Sequence, residues 1–350
     1  MKRSKLFIPI LSIIIICALA VSCASTGSAA KASGSDALSL WTDEAPAKKA
    51  LTEYMEAITK EGSPDFIPKE NRIAIFDLDG TLFCETNPTY FDFQLFIHRV
   101  TEDPTYTPTK AQLDVAIPFK ETGKVPPLSK DYEQLLATAY EGMTLNEFES
   151  YVKAFMETDQ PGYENLKRKD AFYKPMLQVI NYLKANDFIV YVSSGTNRLT
   201  LRALAKDALD LPRRQIIGSD NIVLARGQGN IDDLDYTLSP GEEVRLGGQF
   251  IEKNLQMNKV ESIIDEIGEH PVLAFGNSMT DASMMNYALS NPTYKSMAFM
   301  LMCDDLEREY GNLKKAETVL KDGCNKYGWI PVSMKNDWKT IYGENVKKTE

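Results

Sequence analysis

Histidine is almost absent from the 350 residues: only His98 and His270 occur. A Ser-His-Asp triad or a multi-histidine metal centre therefore has little to draw on. Cysteine is scarce as well, limited to Cys17, Cys23, Cys84, Cys303 and Cys324, and none of their spacings resembles a zinc site. Positive charge is in the minority, with 39 Lys and Arg against 49 Asp and Glu and a formal net charge of −10. No basic stripe interleaves with aromatics, so binding to a nucleic-acid polyanion is not expected. The longest apolar run, "LFIPILSIIIICALAV", has about 16 residues and falls short of the roughly 20 that span a bilayer.

That run follows Lys2, Arg3 and Lys5 and reads as an export signal over residues 1–22. It ends in "AVSC", with small Ala20 and Ser22 ahead of Cys23, which resembles a bacterial lipoprotein cleavage site after which Cys23 becomes the lipidated N-terminus. Cleavage without lipidation is the alternative. Loss of the segment removes three basic residues and no acid, taking the formal charge from −10 to −13. In residues 23–42, Cys23 is followed by "ASTGSAAKASGSDA", too poor in apolar surface to fold, and the segment is expected to tether the following domain to a membrane. Of the remaining cysteines, Cys303 and Cys324 are either bonded, as an oxidising compartment permits, or free buried thiols alongside Cys84.

Past the tether, Ala47, Ala50, Leu51, Tyr54, Met55 and Ile58 share one stripe of an amphipathic helix. Short apolar runs then recur at 73–76, 188–192, 215–217, 272–275 and 297–302, several of them preceded by helical patterns. Such alternation predicts an open parallel α/β sheet covered on both faces. Between the first two runs lie about 90 residues that read as helices, the last opening with a capping box of Thr144 and Glu147. An insertion at that place is positioned to act as a lid.

Ligands of open α/β sheets bind beyond the carboxyl ends of the strands. There the first run gives way to Asp77, Leu78, Asp79, Gly80 and Thr81. Two carboxylates this close repel unless a cation lies between them or one keeps a proton, and Mg²⁺ suits oxygen ligands of this kind. Gly80 lets the chain turn sharply.

"DLDGT" after an apolar strand resembles the first motif of the haloacid dehalogenase (HAD) superfamily, mostly aspartate-nucleophile phosphatases. "IVYVSSG" resembles the second motif, with Ser193 and the N–H groups of Ser194 and Gly195 on the transferring phosphoryl group. "MNKVESI" places Lys259 as the third motif does, with Lys253 as a nearby competitor. "VLAFGNSMTDASMM" resembles the fourth, except that Asn277 stands where an aspartate usually ligates the metal while Asp281 is kept. The metal ligands implied are Asp77, Asp79 and either Asn277 or Asp281.

The likeness is greatest to the phosphoserine-phosphatase-like branch. It implies a HAD-like (Rossmannoid) core over 43–83 and 174–350, with a mainly helical cap at 84–173 and a hairpin-like stretch before Lys259. It further implies Asp77 as nucleophile, Asp79 as general acid and base, and Mg²⁺ as cofactor. Glu85 lies close to a substrate-facing glutamate of that branch, where it would meet a substrate amine; the other reading is an exposed loop residue. Tyr90, Phe91, Phe93 and Phe96 are placed to line a pocket or to pack the lid. The expectation is an exported, lipid-anchored, Mg²⁺-dependent phosphatase acting on a small phosphorylated metabolite in the cell envelope. The alternatives are a non-catalytic binding lipoprotein on the same scaffold, and a phosphotransferase or mutase.

Overall fold

The computed structural model describes residues 34–85 and 89–349. The export segment 1–22, the lipidation candidate Cys23 and residues 24–33 of the expected tether lie outside the described residues. The rest of that tether is folded. After a short helix α1 (Gly34–Ala37), Leu38 and Trp41 are buried, the Trp41 indole N–H donates to Pro175 O at 3.1 Å, and its ring meets Trp338 edge-on at 5.9 Å. Small-residue composition hid two large apolar anchors. The domain therefore starts before the expected residue 43.

Helix α2 (Pro46–Thr59) opens with proline, whose fixed φ suits a first turn, and buries Ala47, Leu51, Tyr54, Met55 and Ile58 as its stripe requires. Strand β1 (Ile73–Phe76) is buried on both faces. Helices α3 (Phe91–Thr101), α4 (Lys110–Thr122), α5 (Lys130–Thr138) and α6 (Leu145–Met156) follow it and form the insertion, which returns through β2 (Tyr163–Glu164). The Thr144 and Glu147 capping box is made in both directions. The core resumes with α7 (Lys174–Ala185), β3 (Ile189–Asn197), α8 (Arg198–Leu209), β4 (Ile216–Ala225) and β5 (Val244–Glu252). It continues with α9 (Met257–Glu266), β6 (Leu273–Gly276), α10 (Ala282–Leu289), β7 (Met297–Leu301) and β8 (Ile330–Val332); β9 (Lys347–Lys348) pairs with β2.

Seven strands form one sheet in the order β5-β4-β3-β1-β6-β7-β8, parallel except for the β4–β5 hairpin. Strand order reverses at β1, where the chain goes first to β3 on one side and later to β6 on the other. Ile75 lies in register with Tyr191 and Ala274, so the ends of all three strands open at one point. Phe76, Phe275 and Phe299 stack across β1, β6 and β7 with centroids 4.3 and 4.8 Å apart. This aromatic floor packs the strand ends beneath the crevice. Cys303 and Cys324 are free and buried, so the Cys303–Cys324 bond is not formed.

The insertion is fastened to the hairpin. Gly142 N donates to Leu246 O at 2.8 Å, Leu246 N to Met143 O at 2.9 Å, and the Gln134 amide from α5 bonds Gly248 O and Phe250 N. Among the described residues no helix is long and apolar enough to cross a membrane.

Candidate active site

Asp77 continues the ladder beyond β1 by donating its N–H to Phe275 O at 2.9 Å. The chain then folds back: Gly80 has φ +79° and donates to Phe83 O at 2.7 Å, while Leu82 N donates to Leu78 O at 2.8 Å. A side chain at position 80 would strike Asn277 and Glu85, so glycine is required both for its φ and for its lack of volume.

Lys259, in the first turn of α9, is wholly buried and places Nζ 2.6 Å from Asp77 Oδ1 and 2.7 Å from Asp281 Oδ1. Lys253 stands elsewhere, 2.8 Å from Glu133 of α5 at the cavity wall. Of the two lysines, only Lys259 reaches Asp77. Asp281 is fully engaged: its other oxygen accepts the N–H groups of Asn277 and Ser278, both at 3.1 Å, and closes the turn after β6. Burial works against the Lys259 charge, but the Asp281 and Asp77 carboxylates more than offset it and raise its pKa. One ammonium facing two carboxylates leaves the trio one negative charge in excess. Burial and Asp281 accordingly push the Asp77 carboxyl well above the ordinary range, with Lys259 opposing.

Asp79 Oδ2 accepts the hydroxyls of Thr196 at 2.7 Å and Ser194 at 3.3 Å, while its Oδ1 is buried with no hydrogen-bond partner. Burial, then the charge of Asp92, pushes its carboxyl up to about 7, against the pull of the two hydroxyls. Ser193 is buried and its hydroxyl accepts from Asn254 Nδ2 at 3.0 Å; the same amide reaches Ser194 O at 3.2 Å. From the end of β3 Gly195 and Thr196 line the cavity, and Leu255 packs where a Gly195 side chain would stand.

Residues 74–286, more than half of the chain, match the haloacid dehalogenase-like hydrolase family. The chain belongs to that family.

Among solved structures, cytosolic 5′-nucleotidase IIIB bound to cytidine is similar over 86% of this chain and 91% of its own, at 12% identity and a TM-score of 0.48. A conserved functionally unknown protein from Anaerococcus prevotii DSM 20548 is similar over 84% of this chain and 94% of its own, at 13% identity and a TM-score of 0.47. A phosphoserine phosphohydrolase-like protein from Francisella tularensis subsp. tularensis SCHU S4 covers 74% of this chain and 94% of its own, at 15% identity and a TM-score of 0.38. These are likenesses of fold. No curated protein matches the sequence.

In this member of the HAD-like hydrolases the site opens into a cavity of about 370 Å³. Asp77, Asp79, Asn277, Glu85 and Thr196 lie on its polar side, and Tyr90, Phe93, Val125, Pro126, Leu128 and Leu255 on its apolar side. The four aromatics divide: Tyr90 and Phe93 face the cavity, whereas Phe91 and Phe96 are packed into the core. Glu85 accepts from the Asn277 side-chain amide and lies 3.5 Å from the Tyr90 hydroxyl and 3.9 Å from Lys315 Nζ. Glu85 is therefore neither exposed nor unpartnered.

Among the described residues no three His, Cys, Asp or Glu side chains converge as a metal cluster. The oxygen set on offer is Asp77, Asp79 and the Asn277 amide, beside an Asp77–Lys259–Asp281 trio with one negative charge in excess. Hard oxygens with surplus negative charge fit a divalent cation such as Mg²⁺.

Thr196 and Asn254 escaped sequence reasoning as functional side chains. Thr196 carried a weak signal, being a hydroxyl residue in the loop after an apolar strand. Asn254 carried none, since "EKNLQM" has neither periodicity nor a motif.

Proposed function

We propose that the protein is a Mg²⁺-dependent phosphatase that hydrolyses small phosphomonoesters through an aspartyl-phosphate. The observation that carries this reading is the buried Asp77–Lys259–Asp281 bridge beside an Asp79 whose carboxyl holds its proton up to about pH 7.

The Asp77 carboxylate attacks phosphorus in line as the bond to the leaving oxygen breaks, and Asp79 delivers its proton to that oxygen. Asp79, now a base, takes a proton from water, whose oxygen attacks the aspartyl-phosphate and releases phosphate and free Asp77. Lys259 and the N–H groups of Ser194 and Gly195 offset charge on the phosphoryl oxygens, so positioning and electrostatics do most of the work. Mg²⁺, held by Asp77, Asp79 and Asn277, supplies further charge neutralisation when bound. Asp281 is left out of that set because Lys259 and two backbone N–H groups already occupy it. The wall of Phe93, Val125, Leu128 and Leu255 suits a leaving group with an apolar part. The N-terminal sequence supports action in the cell envelope from a lipid anchor on Cys23.

Asp77→Asn should abolish phosphate release from p-nitrophenyl phosphate in Mg²⁺ while leaving the far-UV circular dichroism intact. Turnover retained in that variant would sink the nucleophile assignment.

A further inference from the structure

Asn277 and Glu85 are 192 positions apart in sequence, yet the Asn277 side-chain amide donates to Glu85 Oε2. A carboxylate only accepts, so this contact fixes which way the amide points; reversed, two acceptors would face each other. Asn277 Oδ1 is thereby turned away from Glu85, and the residue lines the same cavity as Asp77 and Asp79. Both side chains lie against Gly80, whose missing Cβ leaves them the room to meet.

The charge balance also points to a cation here. Lys259 alone faces both Asp77 and Asp281, which leaves a negative charge uncompensated beside this cavity. Asp281 is not open to a cation, because Lys259, Asn277 N and Ser278 N occupy its oxygens. Glu85 is the nearest carboxylate to the amide, and its other oxygen already faces the Tyr90 hydroxyl and Lys315. An occupied carboxylate of this kind is a poor receptor for a substrate amine.

We propose that Asn277 and Glu85 act as one unit toward the divalent cation, the amide presenting its oxygen and the carboxylate behind it supplying the charge an aspartate would carry alone. Glu85 is then a positioning residue that works through Asn277, as hydrogen-bonded partners behind metal ligands do. The proposal rests on the reading of the site as a cation-assisted phosphatase.

The test is isothermal titration of Mg²⁺ into the wild type, Glu85→Gln, Asn277→Asp and the double variant, with no substrate present. Loss of the partner should weaken Mg²⁺ binding about 10- to 100-fold in Glu85→Gln. Asn277→Asp should restore it in the Glu85→Gln background, a coupling that two independent residues do not show. Thermal unfolding in EDTA reports whether each variant is folded, and the rescue keeps the idea testable if Glu85→Gln alone is unstable. Unchanged Mg²⁺ affinity in Glu85→Gln, failure of the rescue, or no Mg²⁺ binding by the wild type overturns the proposal. So does a Glu85→Gln protein that binds Mg²⁺ normally but has a raised KM for phosphoethanolamine and not for p-nitrophenyl phosphate, which places Glu85 on the substrate. Phosphate release is scored separately: Mg²⁺ binding through the pair without hydrolysis of any phosphomonoester defeats the phosphatase reading and leaves the pair standing.

Discussion

Thr196 Oγ1 lies 2.7 Å from Asp79 Oδ2 and donates to it, so a hydroxyl stabilises the charged form of a carboxyl that burial otherwise drives toward the protonated form. A hydrogen bond to a charged group contributes about 1.5–3 kcal/mol, and one pH unit corresponds to about 1.4 kcal/mol. Thr196→Val should therefore move the alkaline limb of kcat on an alkyl phosphate upward by about one pH unit. Asp92→Asn, which removes the like charge that raises Asp79 most, should move it downward. pH–rate profiles of both variants check this, and limbs that stay in place would show that Asp79 is not the acid.

The same carboxyl makes stability depend on pH. Its pKa rises from 3.8 to about 7 on folding, so between those values the folded chain holds a proton that the unfolded chain has lost. The Asp79 contribution is thus most favourable below pH 3.8 and is lost as pH climbs toward 7. Asp79→Asn should flatten that fall, measured as urea midpoints across the interval; an unchanged slope contradicts the shift.

Lys259 neutralises two buried acids at once. Lys259→Met leaves Asp77 and Asp281 facing each other unpaired, which should cost about 3–5 kcal/mol of stability. In the proposed mechanism Lys259 also offsets charge on the phosphoryl oxygens, so its loss should lower kcat/KM about 10²- to 10³-fold. Adding Asp281→Asn should recover more stability than activity, read from urea unfolding alongside kinetics.

Asn254 joins the phosphate-loop candidates to two neighbouring elements: its N–H donates to Ser219 Oγ at 2.9 Å, and its Oδ1 accepts from Ser262 at 3.0 Å. Asn254→Ala should cost about 1–3 kcal/mol. Displacing Ser193 and Ser194 by even a fraction of an ångström should reduce kcat/KM by up to about 10²-fold. Asn254→Asp lacks the amide donors and should not restore the rate; if it does, the hydrogen bonds to Ser193 and Ser194 O are not what positions the loop.

Trp41 should prove structural. Trp41→Ala, or a chain beginning at residue 43, loses a buried indole whose removal costs about 3–5 kcal/mol. The urea midpoint should fall while kcat at low temperature stays put.

Much of this was legible in the order of residues, because buried parallel strands must be apolar on both faces. The runs at 73–76 and 297–302 fall on β1 and β7 nearly to the residue, whereas 188–192 covers only the first part of β3, which continues through polar residues to Asn197. Strand β8 was not legible: it has three residues, one of them Pro331, and a proline is tolerated there because β8 lies at the sheet edge. Lys253 and Lys259 could not be separated by spacing alone, since only the turn of α9 decides which ammonium enters the site. Glu85 and Asn277 meet through the fold of the whole sheet, and no local pattern reports a contact across 192 residues.

The fastening of the insertion to β5 has a consequence for traffic. Swinging the helices away as a block would break the Gly142–Leu246 and Leu246–Met143 pairings together with both Gln134 bonds. Helix α4 is tied to α5 as well, through Gln112 on Leu135 O and Thr138, so the part outside these bonds is the stretch from Gly123 to Ser129, which carries the exposed Val125 and Leu128 beside the cavity. The cavity is thus bounded by one wall fixed through backbone bonds and another made of a seven-residue stretch whose Val125, Pro126 and Leu128 supply apolar lining.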